Sequence, residues 1–213
     1  MRTKLDEITN VNICAVSFCE SPDLLSQWRG YSGTRGGVSI GFCSDKIVEL
    51  AKREHGRLAP CIYDHNVQAE LIDELIDAVL NTQNEQEENV PIEPLRLSEN
   101  FNRQLISIGA FFKHEGFHEE LEWRLVTGIK LYRERRFKFR TGNSMVIPYY
   151  EALLAPEGWT DEIASVTVGP CPYPEVSRQA VIGLLLQNDI YADPRFGERQ
   201  MEIKSSRIPY RSW

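Results

Sequence analysis

Val11-Asn12-Ile13-Cys14-Ala15-Val16-Ser17-Phe18, then Ser21-Pro22-Asp23-Leu24-Leu25-Ser26-Gln27-Trp28-Arg29-Gly30-Tyr31, then Val38-Ser39-Ile40-Gly41-Phe42 set three elements in succession. The first run is apolar and rich in β-branched residues, so it reads as a buried strand. Ser21 is a candidate N-cap and Pro22 suits a first helical position. Leu24, Leu25, Trp28 and Tyr31 are spaced for one helical face. Glycines at 33, 36 and 37 end that helix, and Val38–Phe42 reads as a second strand.

Working outward, helices are expected over Ser44–His55, Asn66–Leu80, Ser98–Lys113 and Pro174–Gln187. In the second of these, Leu71, Leu75, Ile76 and Val79 face inward. Strands are expected at Cys61–Tyr63, Glu122–Ile129, Ala164–Val168 and Met201–Ile208. A hairpin over Phe137–Tyr149 turns at Thr141-Gly142-Asn143. Residues 83–94 are polar, acidic and proline-terminated, which reads as an acidic surface loop. Strands and helices mix without strict alternation. The fold class is therefore α+β, with mixed, mainly antiparallel sheets and flanking helices, read as a single domain over 1–213.

Composition bounds the function. Hydrophobic residues make up 42% and charged residues 26% of 213, enough for a core without staples. No run of about 18 apolar residues suits a membrane span. No apolar stretch follows Met1-Arg2 as a signal peptide would require. The five cysteines are odd in number and hold no C-x-x-C pair, which suits reduced thiols and a cytoplasmic location. The net charge of −7 argues against a surface that coats nucleic acid as a whole. Lys130, Arg133, Arg135, Arg136, Lys138 and Arg140 nevertheless fall within eleven residues. They read either as a solvated hairpin face or as a phosphate-binding edge for a cofactor or nucleic acid. The glycines at 30, 33, 36 and 37 fit neither a P-loop nor a dinucleotide fingerprint.

Three segments could carry chemistry, the first being Ser17-Phe18-Cys19 at a strand end, followed by the helix with Trp28 and Tyr31. His114-Glu115-Gly116-Phe117-His118 matches H-E-x-x-H. On an α-helix that spacing puts both imidazoles on one face for zinc, with Glu115 activating water, and a third ligand is still needed. Gly116 costs about 1 kcal/mol inside such a helix, and the alternative is a polar helix end. Glu120-Leu121-Glu122 enters a strand, where alternate residues share a face. A carboxylate so placed can hold a ribose hydroxyl and stabilise an oxocarbenium-like centre; the alternative is a strand edge paired with Arg124. Arg29 and Arg124 are phosphate partners or simple salt bridges. Asp64 and His65 read as a turn or helix cap.

The run from Ser17 through Trp28 and Tyr31 to Gly37-Val38-Ser39-Ile40-Gly41-Phe42 resembles an uncharacterised bacterial domain family. That family has an S-x-S strand, a W-x-x-Y helix and a G-V-x-I-G-F strand. The resemblance extends to Lys113, to Glu120-Leu121-Glu122-Trp123-Arg124-Leu125, to Val168-Gly169-Pro170 and to Ser206–Arg211. Some members occur in bacterial defence-like settings such as phage defence. Against that family an N-terminal segment is absent, so the chain is expected to be N-terminally shortened. His114–His118 falls where the family varies.

A looser resemblance is to ADP-ribosyltransferases, which order a serine-bearing strand, an aromatic-bearing helix and a later E-x-E. It implies an ADP-ribosyltransferase-like fold with NAD as cofactor. Glu122 would be the catalytic glutamate, Glu120 the acid that orients the acceptor, and Ser17 a catalytic and cofactor-binding residue. Trp28, Arg29, Tyr31 and Arg124 would hold NAD. The implied partners are a small-molecule nucleotide and a protein or nucleic-acid acceptor, with no membrane and no metal. Such enzymes carry an Arg or His on an earlier strand; here sixteen residues precede Ser17, and Arg2 is their only Arg. An inactive binding or regulatory domain of the same family, and a zinc hydrolase using His114, Glu115 and His118, are the alternatives.

Overall fold

Residues 12–32, 36–86, 94–154, 162–190 and 201–209 are described by a computed structural model. Contacts group the chain into two compact units. The first takes residues 1–18 and 51–151, and the second takes 19–50 and 152–213.

In the first unit, strand β4 (Glu122–Val126) is the centre of a three-stranded sheet. It lies between β1 (Ala15–Cys19) and β3 (Arg57–Pro60). The β3–β4 pair is antiparallel, with Arg57 opposite Val126 and Pro60 opposite Trp123. Leu125 and Val126 are buried there because a central strand is covered on both faces. The strand expected to be buried, β1, lies at the sheet edge with Ala15, Val16 and Ser17 exposed. Apolar composition overstated its burial, since an edge strand is paired on one side only. Val11 lies outside the described residues.

Helix α3 (His65–Gln86) packs against α4 (Pro94–Gly109). Asp64 caps α3 by accepting from the amides of Asn66 at 2.7 Å and Val67 at 3.4 Å, as a side-chain oxygen before a helix should. Leu75 is buried, whereas Ile76, expected inward, is exposed. Residues 83–86 of the expected acidic loop continue α3, and Pro94 opens α4. Proline is tolerated in a first turn, where its missing amide is not needed. The remainder of that segment, 87–93, lies outside the described residues.

Strand β5 (Phe137–Thr141) and strand β6 (Val146–Tyr150) form the expected hairpin, with Lys138 opposite Tyr149 and Arg140 opposite Ile147. Glu54, at the end of α2 (Ser44–Arg53), is buried beneath it. Its carboxylate accepts from Lys130 Nζ at 2.7 Å, Arg136 at 2.6 Å and the Tyr150 hydroxyl at 3.2 Å. Burial alone would raise the Glu54 pKa; these partners outweigh it and lower it. Two of the six clustered cations are thus engaged by Glu54, Lys130 buried and Arg136 half-exposed. Gly56 lies against the Val126 carbonyl so closely that a Cβ would overlap it.

In the second unit, β7 (Ile163–Val168) lies between β2 (Val38–Phe42) and β8 (Glu202–Ser205). The β2 pairing is antiparallel and the β8 pairing parallel. Helix α5 (Pro174–Gln187) packs on β7 and β8. The helix expected from Ser21 is a single α-turn, α1 (Leu25–Gln27), that runs on as a π-turn over Trp28–Ser32. Ser21 does not cap it, for its Oγ accepts instead from the Asp23 amide at 3.4 Å. Asp23 accepts from Trp28 Nε1 at 2.7 Å, Ser206 Oγ at 2.6 Å and the Arg207 amide at 2.8 Å. The described fold is mixed α and β with small, mainly antiparallel sheets and helices.

Candidate carboxylate site in the first unit

Three segments distant in sequence meet at Glu122. Strand β1 brings Ser17, whose Oγ donates to Glu122 Oε1 at 2.5 Å across 105 positions. The segment after α4 brings Lys113, fixed because its amide donates to the Ile62 carbonyl at 3.1 Å. Lys113 Nζ donates to Glu120 at 2.6 Å and makes a short contact with Glu122. Two residues along β4, Arg124 donates from Nε to Glu122 Oε1 at 2.6 Å. Its guanidinium also reaches the Ala110 carbonyl at 2.6 Å, so the turn that follows α4 sets its direction.

The backbone of Glu122 is held as firmly as its side chain. Its amide donates to the Tyr63 hydroxyl at 2.9 Å, and its carbonyl accepts from the Cys61 amide at 2.8 Å. The Glu122 side chain is 7% exposed, against 14% for Lys113 and 21% for Arg124. Burial pushes the carboxyl up, but hydrogen bonds from Lys113, Ser17 and Arg124, with the Arg124 charge, outweigh it and hold its pKa at about 2. The same contacts raise Lys113 against the lowering effect of its own burial. Burial dominates at Cys61 and raises its thiol. Glu122 is therefore a fixed, fully ionised carboxylate at any physiological pH.

The E-x-E pair is joined by a different device from the expected one. Glu120 ends a 3-10 turn over Glu115–Glu120, Leu121 is left-handed with φ 42°, and only Glu122 is in the strand. Strand alternation does not align the two acids; Lys113 bridges them. Tyr63, absent from the sequence reading as a site residue, is tied in both through Glu122 and through an edge contact with His118 at 5.1 Å. No spacing signal marks it, because its hydroxyl meets a backbone amide.

The H-E-x-x-H stretch folds as that 3-10 turn. His114 precedes it in extended conformation, and its side chain accepts from the Gly116 amide at 3.0 Å. In a 3-10 turn residues three apart eclipse, so the i,i+4 geometry behind the zinc argument does not arise. Among the described residues no group of three His, Cys, Asp or Glu side chains could hold a metal ion.

The remaining expected site residues lie in the second unit. Trp28 is buried, with its ring against Gly169 and its Nε1 on Asp23, so it packs that unit. Arg29 is exposed. Tyr31 is 84% exposed at the rim of an open cavity of about 240 Å³. Cys19, Gln27, Trp28, Gly37 and Ser39 also line it. Of the expected residues, Ser17, Glu120, Glu122 and Arg124 are thus brought together in one cluster.

No curated protein and no solved structure matches the chain, and these comparisons give the ADP-ribosyltransferase resemblance no support. Residues 27–125 match a family described as "Protein of unknown function (DUF2971)", consistent with the uncharacterised family to which the motifs point.

Proposed function

We propose that Glu122 is the catalytic carboxylate of an enzyme that cleaves the nicotinamide–ribose bond of NAD, as an ADP-ribosyltransferase or NAD glycohydrolase. The observation that carries the reading is the hydrogen bond from Ser17 to an ionised Glu122, with Glu120 held beside it through Lys113. Bond cleavage of this type sends the glycosidic electron pair to nicotinamide and leaves positive charge on the ribosyl carbon. A fixed carboxylate stabilises that charge without reorganising. Ser17 is exposed, so its contact is the one a ribose hydroxyl would replace. In this reading Glu120 accepts the proton of an attacking water or acceptor nucleophile.

One observation favours a second reading, a non-catalytic binding domain. The two carboxylates and two cations satisfy one another, and Glu122 is almost closed off. Nicotinamide release from NAD by wild type, Ser17→Ala and Glu122→Gln separates the two. Catalysis predicts turnover that falls at least about a hundredfold in Glu122→Gln, the scale of losing one transition-state contact. A folded wild-type protein that releases no nicotinamide overturns it and leaves the binding domain.

A further inference from the structure

We propose that the face of the β5–β6 hairpin carrying Lys138, Arg140 and Tyr149 binds single-stranded nucleic acid. Directly opposed residues of an antiparallel pair share a face. The Lys138–Tyr149 and Arg140–Ile147 pairings therefore put two cations and one aromatic ring on the same side. The cations stand about 7 Å apart along the strand. Lys138, Arg140 and Tyr149 are all exposed.

The opposite face packs at its Phe137 end, while Phe139 and Val146 stay exposed. Tyr132 lies against Phe137 at 5.1 Å and over Phe139 at 6.3 Å, and Phe137 meets Tyr150 at 5.3 Å. Glu54 takes Lys130 and Arg136. Arg133, Arg135, Lys138 and Arg140 are exposed. Neither strand contains a carboxylate. The nearest acids in sequence are Glu134, which accepts from the Leu131 amide at 2.7 Å, and Glu151 beyond the end of β6. In a chain of net charge −7, this is a local cationic surface with an aromatic ring set in it.

That combination selects the partner's chemistry. Phosphates pair with the cations, and an unstacked base lies on Tyr149; base–aromatic stacking is tolerant of sequence. A duplex keeps its bases stacked and would leave the ring unused. An acidic peptide would use the charges but not the ring. The proposal involves no residue of the Glu122 cluster and does not depend on the reading of that cluster.

Fluorescence anisotropy with a labelled twelve-nucleotide oligothymidine, at 50 and 200 mM NaCl, tests it. Wild type is expected to bind with clear salt dependence. Lys138→Gln with Arg140→Gln lowers the log–log salt slope by about 1.4, two phosphate contacts at ~0.7 each. Tyr149→Ala weakens binding about tenfold, while Tyr149→Phe keeps it. Absence of binding at 50 mM salt overturns the proposal. So does binding unchanged in these variants, or equally tight binding of a polyglutamate peptide.

Discussion

At the scale of single residues, Glu122 carries the clearest pH signature. Its folded pKa of about 2 lies below the ordinary 4.5. A depressed carboxyl contributes stability that is fully present above the unfolded value and is lost as pH falls through the folded one. Denaturant titrations of wild type should lose stability between about pH 4.5 and 2, and Glu122→Gln should flatten that loss. The shift corresponds to at most about 3 kcal/mol, reduced by solvent screening of the partly open pairs. Lys113→Met leaves Glu120 and Glu122 without their shared cation. It should cost about 2–4 kcal/mol in the same titration, because breaking a buried pair strands the remaining charge. Ser17, Glu120, Glu122 and Arg124 were legible in the sequence as chemistry-bearing types flanking apolar strands. Lys113 stood out through a resemblance, and Tyr63 not at all. Long-range hydrogen bonds to backbone groups leave no periodic trace.

Among the elements, α5 and β2 agree with their expected bounds, whereas others shift according to what terminates them. Helix α3 runs past its expected end because its polar tail, Asn81 to Gln86, still suits helix. The first helix falls short because Asp23 is engaged by Trp28, Ser206 and Arg207. The H-E-x-x-H match failed as geometry for a related reason: residue types fix a motif, but the local turn fixes where its side chains go. The turn between α2 and β3 offers a test. Gly56→Ala forces a Cβ into the Val126 carbonyl, a backbone atom that cannot swing aside. It should lower stability by about 2 kcal/mol or more, seen as a lower thermal midpoint. An alanine tolerated there would contradict the close approach of that turn to β4.

Over the whole molecule, the quoted motifs sort into two clusters. Ser17, Lys113, Glu120, Glu122 and Arg124 meet in the first unit. Asp23, Trp28, Gly37, Gly169 and Ser206 meet in the second, where Gly169 gives room to the Trp28 ring and donates to the Gly37 carbonyl at 2.8 Å. Sequence order showed the mixed fold class but not this sorting, since neighbours such as Ser17 and Trp28 go to different units. A chain ending at residue 200 loses β8 and the two C-terminal partners of Asp23. Limited proteolysis should then cut 19–50 or 162–190 faster than 51–151. Equal protection would show that the tail is dispensable.

The interleaving of the two units also sets an order of birth. Everything in the first unit has been synthesised by residue 151, but Val38 of β2 waits for Val168, 130 residues later, before its partner strand exists. At roughly 5–20 residues per second, that is a delay on the order of ten seconds. Through that interval the nascent chain carries an orphaned strand of the second unit, and only over its last stretch, from residue 151 on, does it hold every segment of the first. A ribosome pausing between codons 151 and 168 would prolong the time in which β2 is open to a chaperone or to a neighbouring chain.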